Sequence, residues 1–341
     1  TCSDLFLQES LLDGAGKALL TLTEATRDKN MVVLAGLPLT VNGVLYNVAA
    51  VLHDGDILGF VPKSYLPTYS EFYEGRHYHS GADIEADVLF NGRTYPFGTR
   101  LLFRCRQMPA FTLGIEICED LWVAQPPSIS HALAGATVIA NLSASDETTG
   151  KDIYRRSLVS GQSARLVCGY IYADAGEGES STDLVFGAHN LICENGSILA
   201  ESERFINQMI MADMDMSKLI SERRRMTTWQ PKFDNGYRVI DFDLEMHEVD
   251  LRRFIDPHPF VPDDAMDRTR RCEEILTIQA MGLKKRLAHT HCRHAVVGIS
   301  GGLDSTLALL VTVRAFDMLD MDRSQIMAVT MPCFGTTDRT Y

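Results

Sequence analysis

The sequence has no long apolar run, no paired-cysteine motif and comparatively little basic charge. Its eight cysteines lie scattered over 341 residues without a C-x-x-C pair, which indicates neither a zinc site nor a disulfide framework. Reduced, mostly buried thiols in a cytoplasmic protein are expected instead. The 45 acidic residues outnumber the 32 basic ones and give a net charge of −13. This balance predicts no nucleic-acid partner, and the missing apolar run predicts no membrane span.

The composition that remains is that of an ordinary globular protein, with 45% apolar and 23% charged residues. The length favours two domains. Up to residue 225, predicted helices alternate with strands, and Asp54-Gly55 and Asn195-Gly196 indicate hairpin turns, the second between strands 184–192 and 197–201. Residues 1–225 are therefore predicted to form a layered α/β domain. The polar stretch 226–264, with three prolines near its end, is predicted to be a linker, and residues 265–341 begin a second domain.

A glycine-rich loop is the most specific signal in this second domain. The apolar strand 295–299 runs directly into a loop whose two adjacent glycines allow close approach of the backbone to an anion, and a helix follows. Asp304 would repel phosphate unless a cation lay between them, which suggests Mg²⁺. An ordinary capped turn is the alternative. The loop lacks the Gly-Lys-Ser/Thr ending of a Walker A motif and resembles that of the ATP pyrophosphatases. The residues assigned to ATP are Gly298, Ile299, Ser300, Gly301, Gly302, Leu303, Asp304 and Ser305.

Cys118 stands where the apolar strand 111–117 meets a turn, a place from which a thiol can act as a nucleophile. On position alone, a small buried hydrophobic role is the more common one. Lys63 follows the strand 57–61 in a rigid Pro-flanked segment, and an ammonium group beside a thiol lowers its pKa and stabilises an oxyanion. Glu71 is the candidate that orients the lysine or transfers a proton, with a surface carboxylate as the alternative.

These segments resemble the lysine and cysteine motifs of the nitrilase superfamily. Together with the phosphate loop, they resemble one family in particular, the glutamine-dependent NAD⁺ synthetases. The resemblance covers essentially the whole chain. It rests on the strings 59–67, 71–74, 114–120, 141–145, 178–180, 223–228 and 331–337.

The resemblance implies a nitrilase-like αββα sandwich followed by the start of a Rossmann-like parallel sheet. It implies that ATP, deamido-NAD⁺, L-glutamine and water give AMP, diphosphate, NAD⁺ and L-glutamate, with Mg²⁺ as the metal and with a homo-oligomeric assembly. Cys118, Lys63 and Glu71 fall at catalytic positions. Those that fall where the family contacts glutamine are Tyr69, Glu119, Ser145 and Lys151, the last where some members have arginine.

The sequence also departs from the family pattern. The glutamate that begins the family's catalytic triad is expected upstream of Thr1, and the deamido-NAD⁺ site is expected beyond Tyr341. On that basis the chain as it stands is expected to lack glutaminase activity and to leave one edge of the sandwich open. Two alternatives remain, namely another ATP-pyrophosphatase ligase with a fused amidase, and a nucleotide sensor without catalytic activity.

Overall fold

A computed structural model of the chain describes residues 2–181, 183–233, 236–250 and 252–331. The chain divides into two compact units, residues 1–253 and 254–341. The helices of the first unit are α1 Glu9–Ala25, α2 Pro127–Leu133, α3 Lys151–Leu166 and α4 Met216–Arg225. Its strands are β1 Val33–Val41, β2 Val44–His53, β3 Asp56–Pro62, β4 Glu85–Phe90, β5 Arg93–Gly98, β6 Leu101–Cys105, β7 Thr112–Ile117, β8 Val138–Ser143, β9 Gly169–Asp174, β10 Leu191–Glu194, β11 Ser197–Glu201 and β12 Arg238–Phe242.

Two sheets pack face to face in the first unit. One has five strands in the order β1-β2-β3-β5-β4, and the other has seven in the order β11-β10-β9-β8-β7-β6-β12. Apolar residues of both inner faces, including Val51, Val61, Phe103 and Ile115, form the core between them. Helix α1 covers the outer face of the smaller sheet, and α2 and α3 cover that of the larger one. The predicted αββα sandwich is confirmed.

The parallel strands β7, β8 and β9 lie side by side and place the candidate nucleophile. Ile117 pairs with Leu142, and Ser143 pairs with Asp174, so the carboxyl ends of the three strands meet at one edge of the sheet. Alternation along each strand sends Ile115 and Ile117 into the core between the sheets. The neighbouring residue Glu116 therefore points to the helix-covered face.

Two expectations about local structure need correction. The hairpin at Asp54-Gly55 is confirmed, but the strand expected over 184–192 is confined to β10 at Leu191–Glu194. The polar segment 226–264, expected to be a linker, contains β12, which pairs with β6 in parallel and completes the larger sheet. Its strand character comes from this pairing with a distant segment of the chain.

The second unit contains α5 Ala265–Thr290, β13 Ala295–Gly298, α6 Leu303–Asp317 and β14 Ile326–Val329. Strands β13 and β14 are parallel, and the helices pack through Ala280, Leu287, Val311 and Phe316. The predicted succession of strand, glycine loop, helix and strand is confirmed. Of the string 331–337, only Met331 lies within the described residues. Among the helices of the described ranges, none combines the length and the apolar character needed to cross a bilayer.

Candidate active site

Cys118 occupies a strained elbow immediately after β7. Its backbone is left-handed, with φ of +46°, a conformation that costs a non-glycine residue about 1–2 kcal/mol. Asn141 on the adjacent strand β8 holds this conformation. The N–H of Cys118 donates to Asn141 Oδ1 at 2.9 Å, while Asn141 Nδ2 donates to the carbonyl oxygen of Cys118 at 3.4 Å. The elbow thus presents the thiol at the end of the sheet.

Asp120 fastens the elbow to the segment that follows Lys63. One of its carboxylate oxygens accepts the N–H groups of Ser64 at 3.1 Å and Tyr65 at 2.8 Å. The other accepts the N–H of Ile117 at 2.9 Å. The side chain is buried, and burial raises the pKa of Asp120 to about 7. This carboxyl group therefore links the ends of β3 and β7, which belong to different sheets.

Lys63 forms a buried ion pair with Glu74. Its side chain is 3% exposed, and its Nζ contacts Glu74 Oε2, while Asn47 Nδ2 donates to Glu74 Oε1 at 2.7 Å. We expected Glu71 to orient the lysine. The structure gives that contact to Glu74, which lies three residues later and begins the 3-10 turn Glu74–Arg76. Glu71 lines the same cavity.

A cavity of about 900 Å³ surrounds the thiol and is lined by Cys118, Lys63, Glu71, Glu74, Ser143 and Asp174, among others. Burial alone would lower the pKa of Lys63, but the neighbouring charges of Cys118 and Glu74 outweigh it and raise that pKa. Burial raises the pKa of the Cys118 thiol, which Lys63 and the hydroxyl of Ser143 partly offset. A protonated lysine therefore faces a thiol whose ionisation depends on a few polar neighbours.

The four residues expected to contact glutamine surround this cavity without lining it. Tyr69 donates its hydroxyl to Glu119 Oε1 at 2.7 Å. Lys151 pairs with Asp146, and its Nζ lies 5.3 Å from the centre of the Trp122 ring. These side chains form a polar and aromatic cluster beside the elbow.

Ser145, the fourth of them, is buried in the loop that follows β8. Its N–H donates to Asp174 Oδ1 at 2.9 Å. Its hydroxyl oxygen accepts from Nη2 of Arg155 at 3.2 Å, and the same nitrogen donates to the carbonyl of Asp146 at 3.2 Å. Arg155 is completely buried, and Glu147 and His189 bind its other terminal nitrogen, each at 3.0 Å. This guanidinium fixes the course of the loop.

The glycine loop of the second unit has the shape of an anion cradle. Gly301 has φ of +76°, and Gly302 caps α6. Ser305 in the first turn of α6 lies 3.2 Å from the Ser300 hydroxyl and accepts the Ser300 N–H at 3.2 Å. The loop joins Gly298 and Ile299 of the strand end to Leu303 and Asp304 of the helix.

The donor set of the loop suits a hard cation that also binds phosphate. Asp304 is exposed in the first turn of α6. Nowhere in the described ranges do three or more His, Cys, Asp or Glu side chains gather as a metal site. Mg²⁺ takes one or two carboxylates and completes its shell with water and phosphate oxygens, so a single carboxylate beside the cradle fits it.

Three residues of the site escaped sequence analysis. Glu74 and Asp120 lie inside the motifs 71–74 and 114–120, but nothing in their spacing distinguishes them from Glu71 or Glu119. Asn141 lies within the apolar strand β8, and its role appears only when β8 is placed beside β7. A polar residue within a buried parallel strand is the signal that could have indicated Asn141, since most such positions are apolar.

Comparison with known proteins gives two family matches. The carbon-nitrogen hydrolase model matches residues 1–224, and the NAD synthase model matches residues 275–340. The glutamine-dependent NAD(+) synthetase of Mycobacterium tuberculosis (strain ATCC 25618 / H37Rv) is 44% identical over 347 residues, which cover 99% of this chain and 51% of that protein. The chain thus spans about half the length of the curated relatives it matches.

Solved structures agree in fold. The glutamine-dependent NAD(+) synthetase of Cytophaga hutchinsonii aligns with a TM-score of 0.54 at 20% identity, over 100% of this chain and 53% of that one. The glutamine-dependent NAD+ synthetase of Acinetobacter baumannii, solved in complex with ADP, aligns with a TM-score of 0.52 at 22% identity, over 99% of this chain and 52% of that one. Because the carbon-nitrogen hydrolase model matches about two thirds of its length, the chain belongs to the carbon-nitrogen hydrolase family.

Proposed function

We propose that the chain belongs to a glutamine-hydrolysing NAD⁺ synthase, a carbon–nitrogen ligase. The overall reaction converts ATP, deamido-NAD⁺, L-glutamine and water to AMP, diphosphate, NAD⁺ and L-glutamate. The observation that carries the proposal is the cavity containing Cys118 and the buried Lys63–Glu74 pair. The phosphate cradle of the second unit and the 44% identical relative support the ligase half.

In the first half-reaction the sulfur of Cys118 attacks the side-chain carbonyl carbon of glutamine. The carbonyl oxygen becomes an oxyanion, and the ammonium group of the buried Lys63 stabilises it. The C–N bond then breaks, the nitrogen takes up the thiol proton and leaves as ammonia, and a thioester remains. Water hydrolyses this thioester to glutamate and the free thiol.

Glu74 keeps Lys63 charged and aimed during these steps, because it supplies the only carboxylate that the described residues bring into contact with that ammonium. The aromatic and polar cluster beside the elbow would bind the amino-acid end of glutamine. We assign Tyr69 and Glu119 to the α-ammonium group, and Lys151 and Ser145 to the α-carboxylate. Glu71, on the wall of the cavity, is available to take up or return a proton.

In the second half-reaction the loop from Gly298 to Ser305 would bind the phosphates of ATP. Backbone N–H groups at the amino end of α6 and the hydroxyls of Ser300 and Ser305 offer donors to phosphate oxygens. Asp304 would hold Mg²⁺, which neutralises phosphate charge when bound. The carboxylate of deamido-NAD⁺ would attack the α-phosphorus of ATP and release diphosphate. Ammonia would then displace AMP from the adenylated carboxylate and give the amide of NAD⁺. We further propose a cytoplasmic homo-oligomer without a nucleic-acid or membrane partner.

The test measures AMP and NAD⁺ formed from ATP, deamido-NAD⁺ and glutamine, with the protein in its full natural length. Cys118→Ala should abolish the glutamine-dependent reaction and spare the reaction with ammonium chloride. Splitting of ATP without NAD⁺ would show that the acceptor is a different carboxylate. Separately, a diazoketone analogue of glutamine should label Cys118, and a failure to label it would refute the glutaminase half.

A further inference from the structure

A pair of hydroxyl groups connects the buried interior of the larger sheet to the thiol. The Ser143 hydroxyl at the end of β8 lies 2.6 Å from the Tyr172 hydroxyl on β9. Because Ile117 pairs with Leu142, the next residues along the two parallel strands, Cys118 and Ser143, also lie side by side. Both of them line the cavity, whereas Tyr172 is 1% exposed behind them.

The direction of the hydrogen bonds follows from what each group is able to give. Burial, with the nearby charges of Asp174 and Cys118, raises the pKa of Tyr172, so the phenol stays protonated and remains a donor. The Ser143 hydroxyl has a single proton. When its oxygen accepts from Tyr172, that proton is free to point at the sulfur of Cys118, and the Ser143 hydroxyl does lower the pKa of this thiol.

We propose that Tyr172 is a positioning residue for the nucleophile, acting through Ser143. Its hydroxyl orients the Ser143 hydroxyl toward Cys118, and the resulting chain of two hydrogen bonds stabilises the thiolate against the penalty of burial. The inference deepens the proposed function, since it rests on Cys118 being the nucleophile.

Four charged groups lie near the hydrogen bonds from Tyr172 through Ser143 to Cys118 and also influence the ionisation of the thiol. Lys63 and Glu74 face the thiol from the segment after β3. Asp174 lies two residues after Tyr172 on β9, and the charge of Arg155 on α3 acts on the tyrosine without a hydrogen bond to it. All four remain in place when the hydroxyl of Ser143 or Tyr172 is removed, so differences between variants report the effect of the two hydrogen bonds alone.

The experiment measures the rate at which iodoacetamide alkylates Cys118 between pH 6 and pH 10, by mass spectrometry of the digested chain. The exposed Cys272 and Cys292 in the same digest serve as internal references. Ser143→Ala should lower the rate at neutral pH about tenfold and move the pH profile to higher pH. Tyr172→Phe should lower it about threefold. The double variant should match Ser143→Ala alone, because the tyrosine acts only through the serine.

Tyr95→Phe is the matched control. It removes another buried tyrosine hydroxyl, one that lies on β5 of the smaller sheet and donates to Asp56 Oδ1 at 3.3 Å. It should leave the pH profile of Cys118 alkylation in place even if it lowers stability. A Tyr172→Phe profile that coincides with wild type would overturn the proposal, as would additive effects in the double variant. If Tyr172→Phe does not fold, an unchanged pH profile of Cys118 alkylation in Ser143→Ala would overturn the proposal instead. Labelling by the diazoketone tests the proposed function independently.

Discussion

The ammonium group of Lys63 and the carboxylate of Glu74 form an ion pair inside the first unit, with 3% and 15% of their side chains exposed. Lys63 belongs to the segment after β3, and Glu74 to a 3-10 turn eleven residues later. Asn47 from β2 holds the second carboxylate oxygen. The pair is therefore fixed from three points of the chain, and the lysine is held facing the thiol.

Removal of the charge at Glu74 should weaken both the fold and the site. Glu74→Gln leaves the buried ammonium of Lys63 without its counter-charge, and we expect the free energy of unfolding to fall by about 3 kcal/mol. Labelling of Cys118 by the diazoketone should slow at the same time. Tryptophan fluorescence in denaturant reports this unit alone, because Trp122 and Trp229, the two tryptophans of the sequence, both lie in it.

Glu71→Gln is the control for this experiment. Its carboxylate lines the cavity but is not the partner of Lys63, so the free energy of unfolding should change by less than about 0.5 kcal/mol. Equal losses of stability in the two variants would contradict the assignment of the orienting contact to Glu74.

Asp120 should make stability depend on pH between about pH 4 and pH 7. Its pKa is about 7 in the folded state, raised by burial from an ordinary value of 3.8, so the folded state binds more protons in this window. The stabilisation by neutral Asp120 is complete below pH 4 and is lost as pH rises through 7. The free energy of unfolding of wild type, relative to Asp120→Asn, should fall by on the order of 1 kcal/mol per pH unit.

The half-buried Asp241 gives the comparison, since its partner Arg104 lowers its pKa. Its contribution is lost only as pH falls below the ordinary value of 3.8. Wild type and Asp241→Asn should therefore differ by a constant amount between pH 4 and pH 7. A constant difference between wild type and Asp120→Asn over the same range would show that the three backbone donors keep Asp120 ionised throughout.

The left-handed backbone at Cys118 should be visible in stability. Cys118→Gly and Cys118→Ala both remove the thiol, but only glycine adopts φ of +46° without steric cost. After allowance for the greater freedom of glycine in the unfolded chain, the glycine variant should be more stable by about 0.5–1 kcal/mol. At Cys105, in strand β6, the same pair of substitutions should give the opposite order. A more stable alanine variant at position 118 would argue against the strained elbow.

The glycine loop should lose affinity when its backbone is constrained. Gly301 has φ of +76°, so Gly301→Ala should weaken the binding of ATP with Mg²⁺ about tenfold, as measured by titration calorimetry. Gly282→Ala in α5, where an added methyl group meets no atom within 4 Å, should leave the affinity unchanged. Equal affinity of Gly301→Ala and wild type would show that the nucleotide does not use this loop.

Much of the fold was predictable because local sequence patterns determine its turns and strands. The Asp54-Gly55 turn defines a hairpin, and the apolar strands that end at Cys118 and run into Ser300 place the two motifs at sheet edges. The partners of these motifs are set by contacts between distant segments. Glu71 and Glu74 are equally plausible in sequence, and only the folded turn selects Glu74. The strand character of β12 likewise depends on its neighbour β6.

Lys63 comes from one sheet and Cys118 from the other, so the packed core between the sheets sets the distance between the two reactive groups. Asp120 bridges the same two sheets at the site itself. A core substitution far from the site, at Phe103 or Val51, could let one sheet shift against the other. We expect such a shift to change the distance between Lys63 and Cys118, and with it the reactivity of the thiol, before it unfolds the protein. For protein engineering, repacking of this interior should be screened by reactivity as well as by melting temperature.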